Sequence, residues 1–170
     1  MTLPAEEIPL LFEMQTPSRK RVIPGDIFSM KLPGGYLFGR VIATNAKSSE
    51  WDEPHLHLLY IYKGVHKTAT DFQIDDFRPP QLLIPPVITN RLGWSRGVYE
   101  TVGYAPLESA DRLERNVFLR PGRKDYWDEN AHPIKESDVK DKSTVGLQAV
   151  HSYMTIEHRV SVALGLGPTY

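Results

Sequence analysis

The sequence predicts a mainly β fold of the α+β class: a small antiparallel sheet, curled or closed into an SH3-like barrel, with a C-terminal packing helix. Three observations lead to this prediction. Residues 22–41 hold two β-prone runs around a glycine pair, residues 55–62 are aromatic and apolar throughout their second half, and residues 155–164 repeat apolar positions with a helical period. Aromatic and β-branched residues favour strands, whereas apolar side chains three and four apart favour a helix.

The first predicted element is a β-hairpin. The runs IFSMKL and YLFGRVI are joined by Pro33-Gly34-Gly35, and a glycine pair supplies the positive φ values that a tight turn needs. Pro24-Gly25 stands before the first run, where the missing proline donor does not interrupt a central strand. The polar residues 44–54 are predicted to be a loop.

More strands are predicted downstream. Residues 55–62, HLHLLYIY, are the strongest strand candidate, and residues 93–104, GWSRGVYETVGY, read as another. A second hairpin is predicted over residues 126–134, because Asp128-Glu129-Asn130 provides turn residues between two short apolar runs.

The last element is a predicted helix, with Thr155 as its candidate N-cap and Gly165 as its stop signal. One face of this helix carries Ile156, Val160, Ala163 and Leu164. Residues 1–20 are punctuated by prolines and show no period, so they are predicted to be an N-terminal arm lying against one β-rich domain of residues 21–170.

The composition is that of an ordinary globular protein, with 41% hydrophobic and 24% charged residues and a net charge of −1. The absence of cysteine excludes disulfides, thiolate nucleophiles and cysteine-based zinc sites, and it fits a reducing cytoplasm. No segment resembles a secretory signal or reaches transmembrane length. We therefore expect a cytoplasmic location and no membrane partner.

Nucleic-acid binding would require a local basic face, because the net charge creates no attractive field. The sequence shows only short basic groups, Arg19-Lys20-Arg21 and Arg120 with Arg123 and Lys124. We interpret these groups as solvated surface and do not expect nucleic acid to be a partner. A small-barrel nucleic-acid-binding module remains an alternative function.

His55 and His57 are the candidate metal ligands. They lie two apart on a predicted strand, so their side chains would share a face about 6–7 Å apart. The alternative is a strand end whose polar side faces water. Zinc needs three or four protein ligands, and the other histidines show no spacing that completes such a set. We therefore predict no metal and no cofactor.

No catalytic constellation is evident either. Residues 93–97, GWSRG, have the spacing of a nucleophile elbow, but they lie in a predicted strand rather than a strand-to-helix turn. The glycine pairs lack the Lys-Ser/Thr that follows a phosphate-binding loop. We predict no catalytic residue, and the assignment as an enzyme stays open, leaning towards none.

The residues predicted to contact a partner are Arg91, Trp94 and Arg96. A tryptophan between arginines has the composition of a binding hot spot, where aromatic and guanidinium groups are enriched. The alternative is that Trp94 fills the core while the two arginines solvate the ends of the segment.

Three blocks in order, PGDIF with YLFGRV, PP with NRLGW, and YWDEN, resemble the immunity protein 26 family, whose members also carry a label as HocA-type phosphotriesterases. The resemblance spans roughly residues 21–164. It implies that the chain neutralises a cognate bacterial polymorphic toxin by stoichiometric binding. Exposed acids such as Asp71, Asp75 and Asp76 could then meet a basic toxin. The phosphotriesterase label implies the alternative of a small metal-dependent hydrolase, which would need one or two metal ions.

Overall fold

The computed structural model describes residues 11–48, 52–120 and 122–166, and within them strands predominate. In chain order the elements are β1 (Asp26–Leu32), β2 (Gly35–Ala46), β3 (Leu56–Ile61), β4 (Val87–Thr89), α1 (Leu92–Ser95), β5 (Tyr99–Tyr104), β6 (Phe118–Leu119), β7 (Tyr126–Trp127), β8 (Pro133–Ile134), β9 (Gly146–Leu147), β10 (Val150–His151) and α2 (Tyr153–Ala163). Short 3₁₀ turns occupy several of the connections.

The strands form two sheets. The larger has the order β10-β4-β3-β2-β1-β5, and the smaller has the order β8-β7-β6-β9. All pairs are antiparallel except β10 with β4 and β6 with β9. Over the described residues the larger sheet has two free edges, so it is an open sheet rather than a closed barrel. The predicted α+β class with a C-terminal helix is confirmed.

The predicted first hairpin is present as β1 and β2. Their register pairs Ile27 with Arg40 and ends with Leu32 opposite Gly35, whose φ of +149° favours glycine. β2 continues to Ala46, so it takes in the start of the stretch predicted to be a loop. Residues 49–51 of that loop lie outside the described residues.

The predicted strand is present as β3, and it is buried on both faces, His57 included. Two hydrophobic cores therefore flank the larger sheet. The first core lies between the sheet, the arm and α2, and it contains Phe12, Phe28, Trp94, Tyr99, Ile156 and Val160. The second core lies towards the smaller sheet, and it contains Ile27, Phe38, Tyr60, Tyr62, Phe77 and Phe118.

Residues 93–104 are not one strand. The segment begins with the helical turn α1, reverses at Gly97 with φ +75°, and only then enters β5. Trp94 sits in this turn and packs on Tyr99, with ring centroids 5.2 Å apart. Apolar residues alone do not distinguish a short helical turn from a strand, so the sequence pattern was ambiguous here.

The predicted second hairpin is confirmed as β7 and β8, which pair Tyr126 with Ile134. Its turn is held by Asp128, whose Oδ1 accepts hydrogen bonds from the backbone N–H groups of Asn130 and His132. An aspartate that bonds to the backbone ahead of it is a common turn device.

The C-terminal helix α2 is also confirmed, but its N-cap is Ser152 rather than Thr155. The Ser152 side chain accepts a hydrogen bond from the Thr155 backbone N–H, at 3.1 Å. Ile156 and Val160 are buried against the first core, whereas Ala163 is exposed. The helix begins at Tyr153, three residues before Ile156, where the apolar pattern starts. The start of a helix depends on a polar capping side chain, which a pattern of apolar residues does not indicate.

Candidate functional site

The described part of the N-terminal arm lies alongside the α1 turn. The Gln15 N–H donates to the Gly97 carbonyl at 2.7 Å, and the Ser18 N–H donates to the Trp94 carbonyl at 3.0 Å. Further along, the Arg91 guanidinium donates to the Lys20 carbonyl at 3.4 Å. The two segments therefore run antiparallel although they lie more than seventy positions apart in the sequence.

This pairing brings two basic groups together. The side chains of Arg19, Lys20 and the adjoining Arg21, which we include with the arm from here on, are exposed, as are those of Arg91 and Arg96 at the ends of the α1 turn. We call these five residues the basic patch. The sequence analysis singled out Arg91 and Arg96 but interpreted Arg19, Lys20 and Arg21 as solvated surface, because that run is short and the net charge of the chain is −1.

Exposed aliphatic side chains accompany the basic patch. Leu92, between its two arginines, is 45% exposed, and Ile23, two residues after Arg21, is 39% exposed. Arginine beside exposed apolar surface is the composition enriched in protein interfaces. A single exposed leucine would be unremarkable, so it is the combination with the cations that identifies a candidate surface.

Trp94 lies beneath the patch and not on it. Its side chain is 1% exposed and contacts the rings of Phe28 and His57 at centroid separations of 5.2 and 5.7 Å. The indole Nε1–H donates to Thr101 Oγ1 at 3.1 Å. The core position of Trp94 corresponds to one of the two interpretations of the sequence, and it anchors the turn that displays Arg91 and Arg96.

The two candidate metal ligands do not share a strand face. His55 precedes β3, has φ +60° and is exposed, whereas His57 is inside the strand and buried. Among the described residues, no three histidine or acidic side chains converge in a way that could hold a metal ion.

His57 has an unusual electrostatic environment. Burial, with the nearby charges of Arg91 and His55, lowers the pKa of its imidazole to about 4. Its Nδ1 has no hydrogen-bond partner among the described residues. The ring is therefore neutral at physiological pH and behaves as a packing group beside Trp94.

A buried ion pair is the feature that the sequence analysis missed. Arg40, 0% exposed, lies 3.3 Å from Asp111, which also pairs with Arg78. Arg40 Nη2 donates to the Ala105 carbonyl at 2.8 Å. An arginine inside the apolar run YLFGRVI was the available signal, because a buried charge requires a partner.

The acids expected to meet a basic toxin are exposed. Asp71, Asp75 and Asp76 all face solvent, and Asp75 pairs with Arg78 at 3.7 Å. Asp75 therefore lies at the outer end of the Arg40–Asp111–Arg78 network. The positions of the three acids suit a solvated surface and give no sign of a concave site.

A cavity of about 480 Å³ opens between residues 113–117 and residues 137–144. Glu114 and Lys140, which pair at 3.2 Å, belong to its lining, together with apolar groups such as Val117 and Val139. Asp141, also in the lining, has a lowered pKa because its carboxylate accepts hydrogen bonds from the Ser143 hydroxyl and backbone N–H. These are the contacts of a residue that caps a short 3₁₀ turn, so neither they nor the exposed ion pair assign chemistry to the cavity.

The family of the chain follows from comparison with known proteins. The model of the family described as immunity protein 26 matches residues 23–127, which is more than half of the chain. The chain belongs to the immunity protein 26 family. No curated protein and no solved structure matches it significantly.

The immunity protein 26 match covers part of the candidate site. Arg91, Trp94 and Arg96 lie inside the matched residues, whereas Arg19, Lys20 and Arg21 precede them. The match also ends before α2, so it is shorter than the resemblance over residues 21–164. The arm and the C-terminal helix complete the core around the matched region.

One expectation about function changes with this result, and one is kept in general form. The phosphotriesterase label that accompanied the resemblance is not supported, because the matching family is described by immunity alone. Membership of an immunity family implies a toxin partner in general.

Within the part of the chain that the structure describes, no helix is long and apolar enough to cross a membrane.

Proposed function

We propose that this chain binds a cognate bacterial polymorphic toxin in the cytoplasm of the producing cell and neutralises it stoichiometrically. The observation that carries the proposal is membership of the immunity protein 26 family over residues 23–127. It is supported by the absence, among the described residues, of a cluster that could hold a metal for catalysis.

Neutralisation by binding sets a requirement on affinity. Almost no toxin may remain free, which calls for a dissociation constant near or below nanomolar, or about −12 kcal/mol. An interface of roughly 1,600 Å² reaches this value when a few arginine or aromatic anchors become buried in it.

The contact surface that we propose is the exposed side of the α1 turn. Arg91 and Arg96 project from it on either side of Leu92, and Trp94 holds the turn in place from below. The turn is rigid, because the Leu92 N–H donates to Asn90 Oδ1 and the Val98 N–H to the Gly93 carbonyl. Rigid placement lowers the entropic cost of ordering the anchors on binding.

The test is a titration of toxin activity. The toxin polypeptide encoded beside this chain is purified, and its activity is measured against increasing amounts of the immunity protein. We expect inhibition to be complete at one equivalent. Protection at strongly sub-stoichiometric amounts would indicate turnover and favour the hydrolase, and a locus without a toxin gene or a toxin left fully active would contradict the proposal.

The contact surface is tested with alanine variants. Arg91→Ala combined with Arg96→Ala should weaken toxin binding by about 2–5 kcal/mol for each anchor that is desolvated in the complex. The matched control is Arg123→Ala with Lys124→Ala, an exposed pair on the β6–β7 connection. Trp94→Ala is not informative about contact, since loss of a buried indole would unfold the turn. Full protection by the Arg91 and Arg96 double variant would rule out this surface.

A further inference from the structure

We propose that the arm and the α1 turn together form one docking surface for a carboxylate-rich face of the toxin, an inference that rests on the toxin-binding role proposed above. The surface is the basic patch with Leu92 and Ile23 at its apolar positions. It extends the contact beyond the arginines of the turn, and it specifies the charge of the partner.

The first argument is geometric. The hydrogen bonds from Gln15 to Gly97, from Ser18 to Trp94 and from Arg91 to Lys20 hold the two segments in a defined antiparallel register. Gly97 faces the arm so closely that an added Cβ would lie 2.9 Å from the Gln15 carbonyl oxygen. The backbone positions that carry the cations of the arm are therefore fixed relative to those of the turn, which would not hold for a flexible basic tail.

The second argument is electrostatic. Among the described residues, none of the five cations of the basic patch forms an ion pair with an acid. Glu13, on the same arm, pairs with Lys31. The acid nearest to the patch is the buried Asp26, which accepts a hydrogen bond from the Ile23 N–H; burial raises its pKa, and the charge of Lys20 only partly opposes that shift.

Like charges held within about 10 Å repel one another. Carboxylates of a partner would relieve this repulsion. Each arginine can also bind a carboxylate through two parallel hydrogen bonds, which a lysine cannot do.

The third argument distinguishes a protein partner from nucleic acid. Surfaces that bind single strands combine cations with aromatic rings on which bases stack. Here the aromatic residue of the segment, Trp94, is buried, and the exposed apolar side chains are the aliphatic Leu92 and Ile23. The net charge of −1 also gives no long-range attraction to a polyanion.

The experiment uses three double charge reversals of equal size. Arg19→Glu with Arg21→Glu changes the arm, Arg91→Glu with Arg96→Glu changes the turn, and Arg123→Glu with Lys124→Glu is the control elsewhere on the surface. Circular dichroism and thermal unfolding first establish that each variant is folded. Binding of the adjacent toxin is then measured by surface plasmon resonance at several salt concentrations.

We expect the arm pair and the turn pair each to weaken toxin binding by at least about 100-fold. The control pair should change it by less than about threefold. The association rate of the wild type should fall as salt rises, and less so in the two patch variants. Wild-type toxin binding by either patch variant would overturn the joint docking surface while leaving the proposed function in place.

A second measurement does not depend on the toxin. A short acetylated peptide of glutamates and leucines is titrated into the ¹⁵N-labelled chain, and we expect shifts at the amides of residues 19–23 and 91–97 that disappear in both patch variants. The absence of shifts at these amides would overturn the inference, whatever the outcome of the test of the proposed function. Binding of an RNA or DNA oligonucleotide at lower concentration than the peptide, lost in the same variants, would also overturn it and assign the patch to nucleic acid.

Discussion

The ring of Phe28 on β1 lies directly over the α-carbon of Gly39 on β2, its partner in the strand register. The same ring packs against Trp94 and Tyr99, with centroid separations of 5.2 Å to each. Gly39 in the central hairpin thus leaves the space in which Phe28, Trp94 and Tyr99 pack together beneath the α1 turn. Because the α1 turn carries two arginines of the basic patch, their position depends on a residue that has no side chain.

Gly39→Ala should destabilise the fold, because an added Cβ would overlap the Phe28 ring. We expect a loss of about 1–3 kcal/mol in the free energy of unfolding, measured in urea. Gly34→Ala is the matched control, since nothing lies within 4 Å of a Cβ built there. Combining Gly39→Ala with Phe28→Leu should cost less than the sum of the two changes. Equal losses for the two alanine variants would contradict the relationship.

Asp111→Asn should be strongly destabilising, by about 3–5 kcal/mol, because it leaves the buried Arg40 without its counter-charge. Asparagine keeps an oxygen for the hydrogen bond from the Glu108 N–H, so the loss reports on charge rather than on the turn. Asp75→Asn is the control. That carboxylate pairs with the same Arg78 but is 97% exposed, and its loss should cost less than about 0.5 kcal/mol. Denaturant unfolding at neutral pH measures the free energy of unfolding of both variants. Similar losses for the two would show that burial does not determine the contribution of the carboxylate to stability.

His57 should make the fold less stable in acid. Its pKa is lowered to about 4, whereas an unfolded histidine titrates near 6.5, so the unfolded state binds the proton more tightly. The contribution of the neutral ring to stability is present above pH 6.5 and is lost as the pH falls towards 4. His57→Gln should remove this slope from the dependence of unfolding free energy on pH.

His132→Gln is the control for this prediction, since His132 is exposed and is not among the groups that shift the pKa of His57, whereas His55 is one of them. In addition, Arg91→Ala should raise the pKa of His57, because it removes a neighbouring positive charge. NMR titration of the imidazole protons measures this shift. A His57 pKa that does not change in Arg91→Ala would show that the two groups are not coupled.

Glu157 on α2 should have the opposite dependence on pH. Its carboxylate is buried and accepts a hydrogen bond from the Phe12 N–H at 3.1 Å, and burial raises its pKa above the ordinary 4.5. The native state then binds the proton more tightly than the unfolded state. This contribution to stability is present below pH 4.5 and is lost as the pH rises through the folded pKa.

Glu157→Gln keeps an acceptor for Phe12 and cannot ionise, so its stability relative to the wild type should increase with pH above 4.5. Phe12→Ala is the comparison, since it leaves a cavity in the first core. It should cost about 3–5 kcal/mol at every pH. Thermal unfolding between pH 4 and 8 separates the two behaviours, and a constant difference for Glu157→Gln would refute the role of ionisation.

Several elements could be predicted from the sequence because their signals are local. The Gly34-Gly35 turn, the apolar run of β3, the Asp128 turn and the apolar period of α2 each depend on residues close together in the chain. Local backbone preference and side-chain periodicity are sufficient to identify such elements. The end points were less accurate, as Ser152 at the start of α2 and Ala46 at the end of β2 show.

The sequence by itself therefore determined the fold class, the hairpins, the C-terminal helix and the resemblance to an immunity family. The tertiary structure alone decided that Trp94 lies in the core, that His57 is buried whereas His55 is exposed, and that Arg40 forms an ion pair with Asp111. It also decided that the arm lies against the α1 turn, where Lys20 contacts Arg91 and the basic patch forms. The physical reason is that burial and charge clustering depend on contacts between distant segments, and no local pattern of residues records which segments meet.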